Sequence, residues 1–112
     1  MRYVCAAKTG YAMKTLFLAA CALALLIRSA AADTVVIQKG RAFHPVEVTI
    51  TRGAGITFTN DDSYIHQIYV DGLFDSVEKA PGENLNETFP QTGTFQVRCH
   101  IHPTMRMTVR VK

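Results

Sequence analysis

The chain has 112 residues, 48% of them hydrophobic, with 12 Lys and Arg against 9 Asp and Glu. That length holds one domain at most. Four of the basic residues lie before Asp33, so the rest carries eight basic against nine acidic residues, and the overall basicity is no nucleic-acid signature.

The N-terminal third reads as a targeting segment. Arg2, Lys8 and Lys14 form a positive head without an acid, Leu16 to Ile27 is an apolar run, and Ala30-Ala31-Ala32 precedes Asp33. These are the parts of a secretory signal, predicted over residues 1–32, with Met13 a second candidate for the true start. The apolar run falls short of the roughly 20 residues needed to span a bilayer. No stable membrane insertion is therefore expected after the signal is removed. Leu18-Ala19-Ala20-Cys21 has the outline of a lipoprotein cleavage box, but the apolar Ala22 to Ile27 behind it argues against lipidation.

The remaining residues, 33–112, are expected to form one exported domain, periplasmic or secreted. Cys5 and Cys21 leave with the signal, so Cys99 has no disulfide partner. An unpaired thiol in an oxidising compartment calls for an occupant. A bound metal would protect it and stabilise a domain too small to bury a large core.

Along that domain the patterning has a period of two. Thr34 to Gln38 is a short β-rich run, and Val46, Val48 and Ile50 alternate with Glu47, Thr49 and Thr51. Arg52 to Gly55 supplies a turn, Ile56 and Phe58 alternate with Thr57 and Thr59, and Asn60-Asp61-Asp62 ends that strand. Further strands are predicted over Tyr64 to Val70, Leu85 to Phe89, Thr94 to Cys99 and Met105 to Val111, with Leu73 to Gly82 irregular. Seven short strands joined by turns predict an all-β, antiparallel Greek-key sandwich or barrel.

Strand parity then sorts the side chains, because alternate residues face opposite sides. Phe95, Val97 and Cys99 share one face, and so do Met105, Met107, Val109 and Val111. His66 has the parity of Ile68 and Val70. A histidine, a cysteine and a methionine thus point inward from three strands. The stretch "CHIHPTM" adds His102, which Pro103 stiffens from behind.

A structural zinc site usually wants paired cysteines, and one cysteine does not supply them. A nucleophilic cysteine wants a base and open access, which a buried strand end beside Met105 and Met107 denies. Copper suits the donors better: two imidazoles, a thiolate and a weak axial thioether make the blue-copper arrangement. Met107 reads as core filler, His44 as a surface histidine and His100 as exposed on the face opposite Cys99. Asn86-Glu87-Thr88 matches a glycosylation sequon, which matters only in a host that glycosylates exported proteins.

Over residues 33–112 the chain resembles the cupredoxins, specifically the plastocyanin, pseudoazurin and amicyanin group. Cys99-x2-His102-x2-Met105 with Pro103 is similar to the short amicyanin ligand loop. "FHPVEVTITRGAGITFTNDDSYIHQI" resembles the family's strand–turn–strand and the His that follows it. The resemblance implies His66, Cys99, His102 and Met105 as metal ligands to one Cu(I)/Cu(II) ion. It also implies that Asn60 steadies the site through hydrogen bonds to the ligand loop. His100 departs from the pattern, since a small or uncharged residue is more usual there.

The function so implied is a small blue copper protein that shuttles single electrons and is not an enzyme. It would be a monomer meeting transient redox partners such as a cytochrome, a dehydrogenase or an oxidase. Those partners would dock at an apolar rim of Ile101 and Pro103 with Leu73 or Phe74. The alternative is a periplasmic protein that buffers or delivers copper, which His100 keeps open.

Overall fold

The computed structural model describes residues 33–112. The predicted signal segment, with its two candidate starts, lies outside the described residues. The described chain is all-β, with nine strands: β1 Thr34–Lys39, β2 Ala42–His44, β3 Glu47–Ile50, β4 Gly55–Asn60, β5 Ile68–Val70, β6 Phe74–Asp75, β7 Asn84–Thr88, β8 Gly93–Cys99 and β9 Arg106–Val111. They form a four-stranded sheet, ordered β2-β1-β4-β7, and a five-stranded sheet, ordered β3-β9-β8-β5-β6. No helix among these residues is long and apolar enough to cross a membrane.

The all-β sandwich matches the expectation, and each sheet also holds one parallel pair, β1 with β4 and β3 with β9. Strand count differs from the expected seven. The extra pieces, β2 and β6, have three and two residues, too few for an alternation to register. The segment from Tyr64 is not continuous strand: His66 makes an isolated bridge with Lys79, and β5 begins only at Ile68.

The core lies between the sheets, where alternate residues of each strand meet. β4 contributes Ile56, Phe58 and Asn60, all buried. β8 contributes Val97 and Cys99, and β9 contributes Met107, Val109 and Val111. Phe74 bridges the layers, its ring 6.4 Å from Phe58 and 6.2 Å from Phe89 in tilted and edge contacts. A fully buried Phe contributes about 1.5–3 kcal/mol, so this cluster is a large share of the stability of so small a domain.

The β1–β2 hairpin turns on two residues, Gly40 and Arg41, both with positive φ, 62° and 54°. Two such residues in succession make the turn whose twist suits a hairpin. Glycine adopts that conformation freely, whereas Arg41 holds it at a cost. The reward lies in the site, where the Arg41 N–H is used.

Candidate metal centre

Three strands and two loops converge at one end of the sandwich. Cys99 closes β8 and sits opposite Ile68 of β5. The β8–β9 register pairs Arg98 with Arg106. Carried one residue further, it sets Cys99 opposite Met105 on the inner face. The intervening loop is tied at its far end, where Met105 N–H donates to the His102 carbonyl at 2.9 Å.

His66 lies just before β5, the neighbour of β8 in the same sheet. Its backbone is held on both sides by Lys79, His66 N–H to Lys79 O at 3.0 Å and Lys79 N–H to His66 O at 2.8 Å. The result is a compact donor triangle. His66 Nδ1 is 3.8 Å from Cys99 Sγ, His102 Nδ1 is 3.9 Å from Cys99 Sγ, and the two nitrogens are 3.2 Å apart. His66 and Cys99 are buried and His102 is half-buried.

Those sides suit a single ion. An ion held about 2.0 Å from each nitrogen and about 2.3 Å from the sulfur would be compatible with these separations. Thiolate with two imidazoles, and a buried thioether from Met105 at the base of the same loop, is a soft set that favours copper. Of the four predicted ligands, His66, Cys99 and His102 are thus brought together, and Met105 faces the same interior.

Asp62 is the residue that sequence reasoning missed. Its Oδ2 lies 3.1 Å from His66 Nε2, and both side chains are buried. Nε2–H donates to the carboxylate, which leaves the Nδ1 lone pair directed at the cluster. The Arg41 N–H donates to the same oxygen at 2.7 Å, and the Ser63 N–H donates to Oδ1 at 3.1 Å. Burial pushes the Asp62 carboxyl up, but the Arg41 N–H, the His66 imidazole and the Ser63 N–H outweigh it and hold the group below its ordinary value. Asp62 is therefore ionised. The only trace of this in the sequence is its spacing, four residues before His66.

His102 is shifted down, first by burial and then by its electrostatic interactions with His66 and the Arg41 guanidinium, with Asp62 opposing. A neutral imidazole keeps a lone pair for a metal. Its ring meets Tyr64 edge-on at 5.8 Å, and the Arg41 guanidinium lies over that tyrosine, 5.0 Å from the ring centre.

Asn60 is buried, as expected of a bracing residue, but its partners differ from those implied. Its Nδ2 donates to Tyr64 O at 2.8 Å and Lys79 O at 2.9 Å, and its Oδ1 accepts from Asp62 N–H at 3.0 Å. It braces the segment that carries His66, and makes no hydrogen bond to the Cys99–Met105 loop. The reason is its place at the inward end of β4, directly before that segment.

The apolar rim also differs. Leu73 and Phe74 pack against the core, because the tight β5–β6 turn folds them inward. Ile101 and Pro103, on either side of His102, are exposed as expected, and the exposed Tyr64 ring meets His102 edge-on. His100 is exposed, as parity predicted, and is bound to Asp75 at 3.1 Å.

The sequence matches no family model and no curated protein. Among solved structures, the purple cupredoxin of Nitrosopumilus maritimus is similar over 71% of this chain and its own full length, with 26% identity and a TM-score of 0.68. A mutant of amicyanin in its reduced state is similar over 76% of this chain and 87% of its own, with 22% identity and a TM-score of 0.68. The copper-containing nitrite reductase of Thermus scotoductus is similar over 76% of this chain but 25% of its own length, with 24% identity and a TM-score of 0.66.

Proposed function

We propose that this chain, which has the cupredoxin fold, is a small exported copper protein that carries one electron at a time. The observation that supports this most is the buried triangle of His66 Nδ1, Cys99 Sγ and His102 Nδ1, whose atoms lie within 4.8 Å of one another. In this reading His66, Cys99, His102 and Met105 are the ligands, residues 1–32 are the export signal, and residues 33–112 are the working domain. When bound, copper supplies the one-electron couple.

The protein's own residues supply rigidity. Lys79 locks the His66 backbone, Asp62 sets its tautomer, and Pro103 limits the loop that carries His102. A donor set held this way relaxes little when charge is added or removed, which keeps the barrier to electron exchange low. His102 is the least buried of the converging donors, so electrons exchange through its edge, framed by Tyr64 and Ile101. Transient redox contacts bury little area and dissociate fast. No substrate is transformed.

Absorption and EPR spectra of the Cu(II)-loaded protein, with voltammetry, test the reading. Intense thiolate-to-Cu(II) absorption and a reversible couple are expected. A colourless protein that retains only Cu(I) and surrenders it to a chelator would instead mark a copper-delivery protein.

A further inference from the structure

The outward face of the five-stranded sheet carries a charge pattern that neither the metal centre nor the core requires. Arg98 and Arg106 are directly opposed across the β8–β9 ladder, and both are exposed. Like charges directly opposed across a ladder destabilise a sheet. Among the described residues neither guanidinium has an acidic partner within salt-bridge distance. Arg110, on the same face of β9, is by contrast bonded to Glu47 at 2.6 Å.

The next position in the row is aromatic. Tyr69 of β5 pairs with Arg98, and its ring stacks on His100 at 3.9 Å with 13° between the planes. Asp75, the cross-strand neighbour of Tyr69, holds the His100 ring through Nε2 at 3.1 Å. Two unneutralised guanidiniums therefore border a flat, pre-ordered aromatic pair. His100 is bonded through one peptide to Cys99, whose side chain points the opposite way, into the metal centre.

We propose that Arg98 and Arg106, with the Tyr69–His100 stack, form a docking surface for the acidic face of a partner protein. The proposal deepens the electron-carrier reading and rests on it for the redox character of that partner. Charge complementarity selects the occupant: two forked guanidiniums match carboxylates, on a domain that has eight basic against nine acidic residues in all. Only two free charges, flanked by Asp75 and Glu47, make too small a basic field for nucleic acid or an anionic bilayer. They suit a weak, fast, salt-sensitive encounter. A partner seated here lies one residue from the cysteine, on a surface distinct from the His102 edge.

The test is an amide NMR titration of the purified protein with deca-glutamate at low ionic strength, run on metal-free and Cu(I)-loaded samples. Shifts confined to Tyr69, Arg98, His100 and Arg106 are expected in both, and lost at high salt. R98Q/R106Q should weaken binding by about tenfold, while R110Q, at a guanidinium already paired, leaves it unchanged. Shifts centred on Tyr64 and Ile101, binding that survives R98Q/R106Q, or tighter association with phosphatidylglycerol vesicles or duplex DNA would each overturn the proposal. Because the metal-free sample is part of the titration, a failed copper spectrum leaves this result standing, and a failed titration leaves the copper spectrum standing.

Discussion

Asp62 and Cys99 face opposite nitrogens of one imidazole: the carboxylate lies 3.1 Å from His66 Nε2, and the thiol sulfur lies 3.8 Å from His66 Nδ1. The ring is therefore aimed by an anion at its back. That anion is fixed in turn by a backbone N–H from the β1–β2 turn, so a segment distant in the chain helps to hold a single donor atom in place.

Asp62→Asn keeps an acceptor of similar shape and removes the charge. Copper affinity should fall about 10–100-fold, the usual effect of losing such a partner. The reduction potential should rise, because a nearby negative charge favours Cu(II) over Cu(I). Chelator competition and voltammetry measure the two effects, and an unchanged potential would rule out an electrostatic role for Asp62.

Arg41→Gly separates the two contributions of that residue. Glycine accepts the positive φ and keeps the N–H that Asp62 uses, while the contact over Tyr64, worth roughly 0.5–1 kcal/mol, is lost. Relief of backbone strain offsets that loss, so stability and copper affinity should stay near wild type. Arg41→Pro has no N–H and no access to that φ, and should damage both. Equal damage from the two variants would mean that the guanidinium, not the backbone, supports the site.

Asn60→Ala should cost the metal-free protein about 3 kcal/mol in denaturant unfolding. It removes the side-chain partner of the Tyr64 carbonyl and the Asp62 N–H and one of the two donors to the Lys79 carbonyl, in a part of the fold where every fully buried side-chain polar atom among the described residues is satisfied. A loss below about 0.5 kcal/mol would show that water replaces the amide without cost.

Copper binding should stabilise the fold by mass action, about 2.7 kcal/mol at a hundredfold excess over Kd. In a domain of this size each 1 kcal/mol raises Tm by about 4–8 °C, so the shift is easily read in a thermal melt. Cys99→Ser should abolish both the intense visible absorption and most of that shift. A shift of full size in the serine variant would place the metal elsewhere.

Much of this was legible locally. The rows Phe95, Val97, Cys99 and Met107, Val109, Val111 are buried as their alternation predicts, apart from Phe95, which is half-buried against the core. The Cys99–Met105 loop carries its donors at spacings that strand geometry sends inward. His100 faces out for the same reason. Strand parity and turn chemistry act between near neighbours, so they are written in the order of residues.

Asp62 is different. In sequence it is one more polar residue where a strand breaks, and nothing nearby says that it is buried. Its role depends on the β1–β2 turn, 21 positions away, arriving with a free N–H. Leu73 or Phe74 likewise reads as rim, because an irregular apolar segment looks exposed until a two-residue strand folds Phe74 onto Phe58 and Phe89. Composition and periodicity determined that this is a β-sandwich with soft donors at one end. Which carboxylate aims the histidine, and which apolar groups stay in solvent, was decided only when distant segments packed, because desolvation and hydrogen-bond satisfaction belong to the assembled interior and not to any stretch of chain within it.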